Sequence, residues 1–251
     1  MSPDEFRLVV AKIRPFTDYI YLHVLGEPLL HPRLDEILTI AEEAGLNINI
    51  TTNGGLLEIK KEMLLQHSIR QINISLHDAE ENIAKDKWTD YLQTAMKFAL
   101  EAAPKSYVSL RLWNTSNVGS ADFNTICLSK IGEKFNLSQV QLEEKTNGNG
   151  LKLVEHIFFN RAPRFEWPDE NGKQTHTKKT CYALRDHIAV LADGQVVPCC
   201  LDADANLFLG NIFTENLSEI LQKERAINIK KGFEQHKIVE PLCATCGFII
   251  D

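Results

Sequence analysis

The 251-residue sequence has little that would suit a membrane or a nucleic acid. No apolar run approaches the length of about 20 residues that a membrane span needs, and the N-terminus lacks the pattern of a signal peptide. The formal net charge is -7 and no basic stripe interrupts the acidic balance, so a partner held by phosphate contacts is not expected. We therefore expect a cytoplasmic protein with no nucleic-acid partner and no membrane partner.

Cysteine is unevenly distributed, because five of the six cysteines follow residue 180. In a reducing compartment such residues are more often thiols or metal ligands than disulfides. Cys243 and Cys246 form a C-x2-C pair followed by Gly247, and Cys181 and Cys199 lie where a predicted hairpin can bring them to the same end. Four thiolates from three segments suit a [4Fe–4S] cluster or a tetrahedral zinc ion, and spacing alone does not choose between them.

The remaining reading of these cysteines is that they are buried free thiols, but core packing explains a C-x2-C pair poorly. Cys200 is expected to point to the opposite strand face from Cys199 and to be a spare thiol. Cys127 falls among apolar residues of a predicted helix and is expected in the core.

Strand and helix patterns alternate along the first 150 residues. Ser2, Pro3 and Glu5 predict a capped helix that ends before Pro15. Strands are predicted at Asp18–Leu25, Leu46–Asn53, Arg70–His77, Tyr107–Trp113 and Gln139–Glu143. Helices are predicted at Pro32–Ala44, Glu58–His67, Asp86–Ala102 and Ser120–Phe135. Such alternation indicates parallel βα units.

Each predicted strand has one aliphatic face and one polar or aromatic face. The second face comprises Tyr21, His23, Asn49, Thr51, Asn53, Asn73, Ser75, His77, Ser109, Arg111, Trp113, Gln141 and Glu143. Strands covered by helices on both faces read as nearly continuous apolar runs, and ordinary barrel interiors are apolar too. We therefore expect a curved sheet whose concave face is hydrated or holds a ligand. The alternative is a one-layered α/β sheet with a solvent-facing side.

The later part of the chain has a different pattern. Residues 151–179 show no clean period and are expected to connect two domains. His187–Cys200 predicts a hairpin around Asp193-Gly194, a turn pair that tight hairpins favour. Asn216–Ile229 predicts a capped amphipathic helix. We expect domains at 1–150 and 180–251 on either side of the connection.

Several of these strand ends and the cysteine segment resemble the radical S-adenosylmethionine (radical SAM) enzymes that carry a C-terminal SPASM or twitch auxiliary-cluster domain. The N-terminal part is similar through Leu25-Gly26-Glu27-Pro28, which resembles the family's Gly-Gly-Glu-Pro, and through Thr51-Thr52-Asn53-Gly54, Ser75-Leu76-His77 and Arg111-Leu112-Trp113-Asn114. The C-terminal part is similar through Cys181, the Gly-x-Val-x-Pro-Cys hairpin, Gly210-Asn211-Ile212 and the closing C-x2-C.

The resemblance implies an α/β fold: a partial (βα) TIM-like barrel missing its first strand, then a small α+β SPASM/twitch domain with a β-hairpin and a helix. It implies two cofactors, an auxiliary [4Fe–4S] cluster and S-adenosylmethionine (SAM). Metal ligands would be Cys181, Cys199, Cys243 and Cys246. Gly26, Glu27 and Pro28 would contact the SAM amino group, and Asn53, Ser75 and Arg111 would lie near its ribose and carboxylate.

Arg111 suits a carboxylate ligand chemically, because a guanidinium on a polar strand face needs an anion. The alternative partner for Arg111 is a neighbouring acid such as Glu143. His23, His77, Trp113 and Glu143 are candidates only for the substrate side of the site, since a strand histidine is more often structural.

One motif of the family is absent. No C-x3-C-x2-C occurs in the sequence, and the strand expected before it is missing too. As written, the chain has no ligands for the SAM-cleaving cluster. We expect it to be a fragment of a longer enzyme, and the alternative is a degenerate relative.

The resemblance therefore implies a radical SAM/SPASM oxidoreductase, or an inactive fragment of one, that abstracts hydrogen with a 5′-deoxyadenosyl radical when the missing loop is present. The auxiliary cluster would bind substrate or transfer electrons. Its partners would be a small-molecule or peptide substrate and an electron donor such as a flavodoxin or ferredoxin. The rivals are a zinc-stabilised ligand-binding protein without catalysis and a degenerate scaffold for an intact partner enzyme.

Overall fold

The computed structural model describes residues 1–143, 150–164, 166–173 and 180–248. The chain divides into two compact units. Asp18–His23 and Glu27–Arg164 form the first, here called the sheet unit. Met1–Thr17, Val24–Gly26 and Phe165–Asp251 form the second, here called the cysteine unit.

Regular elements are numbered in chain order. The helices are α1 (Pro3–Ile13), α2 (Leu34–Glu43), α3 (Leu57–Gln66), α4 (Ala79–Asn82), α5 (Trp88–Ala102), α6 (Ala121–Phe135), α7 (Gln139–Glu143), α8 (Leu217–Leu221), α9 (Glu224–Glu234) and α10 (Pro241–Thr245). The strands are β1 (Tyr19–Leu22), β2 (Asn47–Thr52), β3 (Ile69–Ser75), β4 (Tyr107–Leu112), β5 (Leu151–Val154), β6 (Ile157–Arg161), β7 (Ala189–Val190), β8 (Gln195–Val197) and β9 (Gly210–Asn211).

The sheet unit is built on six strands in the order β1-β2-β3-β4-β6-β5. Strands β1 to β4 and β6 run parallel, and β5 pairs antiparallel with β6 at one edge. The connections from β1 to β4 pass through α2, α3 and α5. The predicted parallel βα arrangement is therefore confirmed over the first four strands.

One face of this sheet is apolar and covered by helices. Helices α2 and α5 contact β2 and β4, and α6 packs beside α5. The aliphatic strand residues are almost completely removed from solvent: Ile48, Ile50, Ile72, Ile74, Val108, Leu110, Leu112, Ile157 and Phe159. The ring of Trp88 meets Phe123 edge-on, with 5.1 Å between centroids, and joins α5 to α6. Burial of this face supplies most of the stabilisation of the unit.

The other face of the sheet carries polar side chains that hydrogen-bond from strand to strand. Arg70 Nη1 donates to Asn49 Oδ1 over 3.0 Å, and Gln71 Nε2 donates to Asn73 Oδ1 over 2.8 Å. Asn73 Nδ2 donates in turn to Thr51 Oγ1 on β2 over 3.2 Å. These bonds satisfy amide groups that burial would otherwise leave unpaired.

The predicted strand at Gln139–Glu143 is wrong, because these residues form helix α7. Ser138 and Gln141 cap each other: the Ser138 amide donates to Gln141 Oε1 over 2.9 Å, and the Gln141 amide donates to Ser138 Oγ over 3.4 Å. This is a capping box, which signals a helix start. Alternation of Val140 and Leu142 over so short a segment could not separate a strand from a helix.

The fifth parallel strand lies further along the chain, at Ile157–Arg161. It pairs with β4 and is preceded by β5, to which a turn at His156, with φ of 63°, connects it. The expected connecting segment 151–179 therefore begins with two strands of the sheet. Its residues 174–179 lie outside the described part of the chain.

The cysteine unit contains a three-stranded antiparallel sheet, short helices and helix α1. Strands β7 and β8 pair across the Asp193-Gly194 turn, as predicted, and β9 pairs with β8. The single helix predicted at Asn216–Ile229 is instead two helices, α8 and α9, because Lys223 is extended between them, with φ of -65° and ψ of 150°. Helix α1 has the predicted capping box of Ser2 and Glu5.

The Lys12 side chain of helix α1 makes two hydrogen bonds with the rest of the cysteine unit. Lys12 Nζ donates to the carbonyl oxygens of Ile212, over 2.6 Å, and Glu215, over 2.8 Å.

No helix among the described residues is long and apolar enough to cross a membrane.

A buried histidine joins α2 to the start of β3 in the sheet unit. His67 Nδ1 lies 2.8 Å from Glu42 Oε2, and His67 Nε2 lies 2.9 Å from Asp35 Oδ1. The side chain is only 8% exposed. Burial alone would lower the pKa of His67, but its hydrogen bonds to Glu42 and Asp35 outweigh burial and raise the pKa above the ordinary 6.5.

Replacing His67 with Gln should destabilise the protein in a pH-dependent way. A raised folded-state pKa gives stability that is present below the ordinary pKa and is lost as pH rises through the folded-state value. We expect His67→Gln to lower the free energy of unfolding by about 1–3 kcal/mol near about pH 5.5, with a smaller difference near about pH 9. Urea unfolding at both pH values measures this. Lys130→Gln, which breaks an exposed pair with Glu133, is the control, and an equal loss at both pH values would contradict the charge assignment.

Candidate functional site

The carboxyl ends of the parallel strands bring the predicted SAM-binding residues of the sheet unit to one edge. Asn53 follows β2, Ser75 ends β3, and Arg111 lies near the end of β4. Ser75 and Arg111 are opposite each other in the strand register. This edge is where open parallel sheets bind ligands, so the topology places these three residues at the expected end of the fold.

Glu27 fastens the end of β2 to the turn that follows β1. Its Oε1 accepts hydrogen bonds from Thr52 Oγ1, over 2.8 Å, and from the Leu29 amide, over 2.9 Å. Its Oε2 accepts from the Asn53 amide over 2.6 Å. Pro28 starts the short 3-10 turn Pro28–Leu30. Glu27 therefore has a structural function at this edge in addition to any contact with a ligand.

The loop at Asn53 is held from the helix side of the sheet. Tyr91 on α5 donates its hydroxyl to the Asn53 carbonyl oxygen over 2.7 Å. Gly54 has φ of 77°, and a Cβ there would lie 3.0 Å from Tyr91 Oη and 3.1 Å from Ile74 Cγ2. Only glycine fits this conformation and this space without a shift of its neighbours.

Arg111 has no anionic partner in the part of the chain that the structure describes. Its guanidinium lies over the Trp113 ring, 4.6 Å from the centroid, and burial lowers the pKa of Arg111 to about 10. Glu143, the alternative partner, lies on α7 and accepts a hydrogen bond from Gln139 Nε2 over 2.7 Å. A half-buried cation without an anion is costly unless a ligand supplies one.

Two histidines lie close to Arg111. Desolvation lowers the pKa of His23, contact with the Tyr21 backbone raises it, and the positive charge of Arg111 lowers it further. His77 Nδ1 lies 3.2 Å from the Arg111 carbonyl oxygen and 3.3 Å from the Trp113 amide nitrogen.

Gly26 is the one predicted SAM contact that belongs to the cysteine unit. It has φ of 93°, and a Cβ added there would meet no described atom within 4 Å. The positive φ explains why glycine stands at this position.

The cysteine unit brings the four predicted metal ligands together. Burial, opposed by a hydrogen bond with the Leu201 backbone and assisted by the neighbouring thiols of Cys200, Cys181 and Cys246, raises the pKa of Cys199 to about 12. Burial likewise raises the pKa of Cys243 to about 12, with added contributions from Cys199, Cys181 and Cys246. The four thiols thus lie within electrostatic range of one another, and all four are partly accessible.

The remaining two cysteines differ in their surroundings. Cys127 is buried in the sheet unit, as predicted, and burial raises its pKa to about 12. Cys200 lies in a turn after β8, so strand alternation does not determine its direction. Burial raises the pKa of Cys200, and the thiols of Cys246 and Cys181 add to this effect. Cys200 is therefore a fifth thiol near the other four.

Segment 166–172 supports the C-x2-C loop from one side. Thr245, between the two cysteines, donates to the Leu242 carbonyl oxygen over 2.9 Å and accepts from the Asp169 amide over 3.1 Å. The Gly247 amide donates to the Glu166 carbonyl oxygen over 3.2 Å. A Cβ on Gly247 would lie 2.9 Å from both the amide nitrogen and the carbonyl oxygen of Glu166, so glycine is needed for this close approach.

These residues fit an iron–sulfur cluster by donor type. Thiolates are the ligands such clusters take, and four from separated segments complete one cluster. The raised pKa values of Cys199 and Cys243 mean that these two thiols are protonated when unbound, so metal binding to them must release protons. Among the described residues, no three His, Cys, Asp or Glu side chains are already arranged around a single metal ion.

Comparison with known proteins agrees with this donor set. The family model SPASM, described as an iron–sulfur cluster-binding domain, matches residues 181–247, which span all four predicted ligands. The match concerns residues 181–247 alone, and it does not favour the zinc alternative.

Two curated relatives share parts of the sequence. A probable GTP 3′,8-cyclase of Aeropyrum pernix is 28% identical over 132 residues, which are 51% of this chain and 36% of that protein. A GTP 3′,8-cyclase of Microcystis aeruginosa is 51% identical over 53 residues, 20% of this chain and 16% of that protein. The matched regions thus cover about a third of the first relative and less of the second.

Several solved structures share the fold over most of this chain. BtrN in an open conformation has a TM-score of 0.59 and 16% identity, over 99% of this chain and 80% of that chain. The structure of anSMEcpe with bound AdoMet has a TM-score of 0.58 and 11% identity, over 93% of this chain and 74% of that chain. SuiB of Streptococcus suis bound to S-adenosylmethionine has a TM-score of 0.57 and 15% identity, over 98% of this chain and 64% of that chain.

The comparisons show a domain type for one part of the chain and a fold for the rest. Residues 181–247 match the SPASM iron–sulfur cluster-binding domain, and the chain shares its fold with solved structures that include BtrN and anSMEcpe with bound AdoMet. Its sheet unit is the partial barrel of that fold.

Sequence reasoning missed several residues that build these sites. Tyr91 and Thr245 lie outside the quoted motifs, and nothing in the sequence marks a helix tyrosine as the support of a distant loop. Gly247 was noted beside the C-x2-C pair, but its close approach to Glu166 depends on a segment distant in sequence.

Replacing Gly247 with Ala should weaken cluster binding without unfolding the protein. The added methyl group must displace the Glu166 backbone, which shifts the loop that carries Cys246. We expect Gly247→Ala to hold less than about half of the wild-type iron and acid-labile sulfide after anaerobic reconstitution. Gly55→Ala, where a Cβ would meet only the Asn53 side chain at 3.3 Å, is the matched control. Equal loading of both variants would contradict the role of Gly247.

Proposed function

We propose that this chain provides the SAM-binding barrel and the auxiliary-cluster domain of a radical SAM oxidoreductase. The proposal is supported by the half-buried guanidinium of Arg111 at the carboxyl edge of the parallel sheet, for which no described residue supplies an anion. It is supported also by the four thiols within the matched iron–sulfur domain. The structural neighbours anSMEcpe and SuiB bind AdoMet or S-adenosylmethionine, which adds to this support.

The residues of the sheet unit would bind SAM as follows. Arg111 would pair its planar guanidinium with the SAM carboxylate, which would remove the cost of its unpaired charge. The Glu27 carboxylate has both oxygens engaged, and each can accept a further hydrogen bond from the SAM amino group, with Gly26 and Pro28 beside it. Asn53 and Ser75 would contact the ribose.

The reaction itself needs groups that the chain does not carry in the described residues. A [4Fe–4S] cluster bound by a C-x3-C-x2-C loop would supply reductive cleavage of SAM to the 5′-deoxyadenosyl radical, which abstracts hydrogen from substrate. The polar face of the sheet would hold the substrate, with His23, His77 and Trp113 as candidate contacts. Glu143 leaves this set because it lies on α7.

We further propose the auxiliary cluster as a [4Fe–4S] cluster held by Cys181, Cys199, Cys243 and Cys246. It would bind substrate or transfer an electron, and the external electron donor would be a flavodoxin or ferredoxin. The substrate would be a small molecule or a peptide. No disulfide joins the six cysteines, all of which lie among the described residues, and this suits the reducing conditions of the cytoplasm.

Removing one thiol should separate the iron–sulfur proposal from the zinc alternative. The reconstituted wild-type chain should hold about four iron and about four sulfide ions, because it has ligands for one [4Fe–4S] cluster. Cys243→Ala should lose most of both, whereas Cys127→Ala should keep them, since Cys127 is buried in the sheet unit. Iron and sulfide assays with metal analysis measure this. Zinc without sulfide in the wild type, or full iron retention in Cys243→Ala, would overturn the assignment.

Replacing Arg111 should weaken SAM binding. Arg111→Met removes the charge and the donors and should raise the dissociation constant at least about tenfold, as expected for hydrogen bonds to a charged group. Arg111→Lys keeps the charge but not the planar donor pair, so its dissociation constant should lie between those of the wild type and Arg111→Met. Equilibrium dialysis of the chain with labelled SAM measures this, with the exposed Lys97→Met as control. Unchanged affinity in Arg111→Met would remove Arg111 from the site, and no binding by the wild type would reject the SAM proposal.

A further inference from the structure

Arg225 on helix α9 makes a bidentate ion pair with Glu240. Arg225 Nε donates to Glu240 Oε1 over 2.8 Å, and Arg225 Nη2 donates to Glu240 Oε2 over 2.9 Å. Glu240 is only 15% exposed and Arg225 40%. Parallel hydrogen bonds of this kind fix both side chains in direction as well as distance. The pair therefore fixes the position of Glu240 relative to α9.

Glu240 is directly connected to the C-x2-C loop. It immediately precedes helix α10, and its carbonyl oxygen accepts a hydrogen bond from the Cys243 amide over 3.1 Å. Pro241 at the first position of α10 restricts the backbone between them. Arg225 thus positions Cys243 indirectly. It holds the Glu240 side chain, and the Glu240 carbonyl oxygen accepts the hydrogen bond from the Cys243 amide.

Arg225 also reaches the segment that follows the other cysteines. Its Nη1 donates to the Phe208 carbonyl oxygen over 3.4 Å. The same loop contains Asp202, whose oxygens accept from the amides of Asn206 and Leu207, both over 2.8 Å. The positive charge of Arg225 acts on Asp202 as well. One side chain therefore connects the loop after Cys199 with the loop that carries Cys243.

The charges of this pair lie within electrostatic range of the thiols. Arg225 interacts with Cys243, and Cys243 interacts with Glu240. The pair also lines an open cavity of about 490 Å³ along α9, together with Lys231 and Lys237. The charges of Arg225 and Glu240 are therefore near enough to Cys243 to act on any charge that the thiols hold.

We propose that Arg225 is a positioning residue for the auxiliary cluster: it clamps Glu240 to keep Cys243 in place, and its positive charge raises the reduction potential of the cluster. The proposal rests on the proposed function, since it needs a cluster on these thiols. The clamp determines how long the cluster is retained, because metal-ligand loops depend on the hydrogen bonds behind them. The charge stabilises the reduced cluster, which carries one more negative charge.

The test uses the full chain, reconstituted with iron and sulfide under anaerobic conditions. Because the chain contains no C-x3-C-x2-C motif, the absorbance and redox signals come from the auxiliary cluster alone. Two quantities are measured: the rate of iron loss to an added chelator, and the reduction potential from a dye-mediated titration. The variants are Arg225→Met, Arg225→Lys and Glu240→Gln.

The two parts of the proposal predict different patterns. All three variants should lose iron faster, by about tenfold for Arg225→Met and less for Arg225→Lys. Arg225→Met should lower the reduction potential, Arg225→Lys should keep it near wild type, and Glu240→Gln should raise it. A merely structural role would accelerate iron loss without these opposite shifts. Arg185→Met breaks an exposed pair with Asp186 in the same unit and should change neither quantity.

The outcomes separate this inference from the proposed function. A wild-type chain that holds no iron and sulfide overturns the proposed function and this inference with it. A loaded wild type with an Arg225→Met variant that matches it in both quantities overturns this inference alone. So does an Arg185→Met variant that changes as much as Arg225→Met. If Arg225→Met does not fold, Arg225→Lys and Glu240→Gln still decide the question, because their expected potentials differ.

Discussion

The three hydrogen bonds that Glu27 accepts are the interaction on which the ligand-facing edge of the sheet unit depends. Parallel strands bring their carboxyl ends to one edge, but each end continues as a loop with its own conformational freedom. Glu27 binds the Thr52 side chain and the Asn53 and Leu29 amides, so the loops after β1 and β2 share one anchor. Tyr91 and Gly54 then fix the loop after β2 from the helix-covered side of the sheet. The result is a set of polar groups with defined positions at the same edge as Arg111, a cation for which no described residue supplies an anion.

Periodicity was sufficient to predict the strands β1 to β4 and the helices between them, because each has a clear aliphatic face. It failed at Gln139–Glu143, where a capping box between Ser138 and Gln141 carried the helix signal. The fifth strand, Ile157–Arg161, was missed because its partners β4 and β5 are recognisable only once the sheet is assembled. The local sequence pattern predicts individual helices and strands. Which strands join one sheet depends on pairing between segments that are distant in sequence.

The cysteines could be predicted as a group for a different reason. A C-x2-C pair and two hairpin cysteines have few explanations other than a metal centre, whatever the surrounding fold. The supports of that centre were not predictable, because Arg225, Thr245 and Glu166 act through contacts with residues far away in sequence or through backbone atoms. Glycine at 247 and 194 marks two such close approaches, and the partner in each is visible only in the fold.

The hydrogen bond from Tyr91 to the Asn53 carbonyl oxygen has a consequence for how this protein would respond to change. The backbone at the carboxyl edge of the sheet is set by a residue on the opposite, helix-covered side of the sheet. Changes in the packing of α5 would therefore move the Asn53 loop, and with it the proposed binding site, without any direct contact with that site. Directed evolution for new specificity should accordingly yield substitutions inside that helix layer as well as on the polar face.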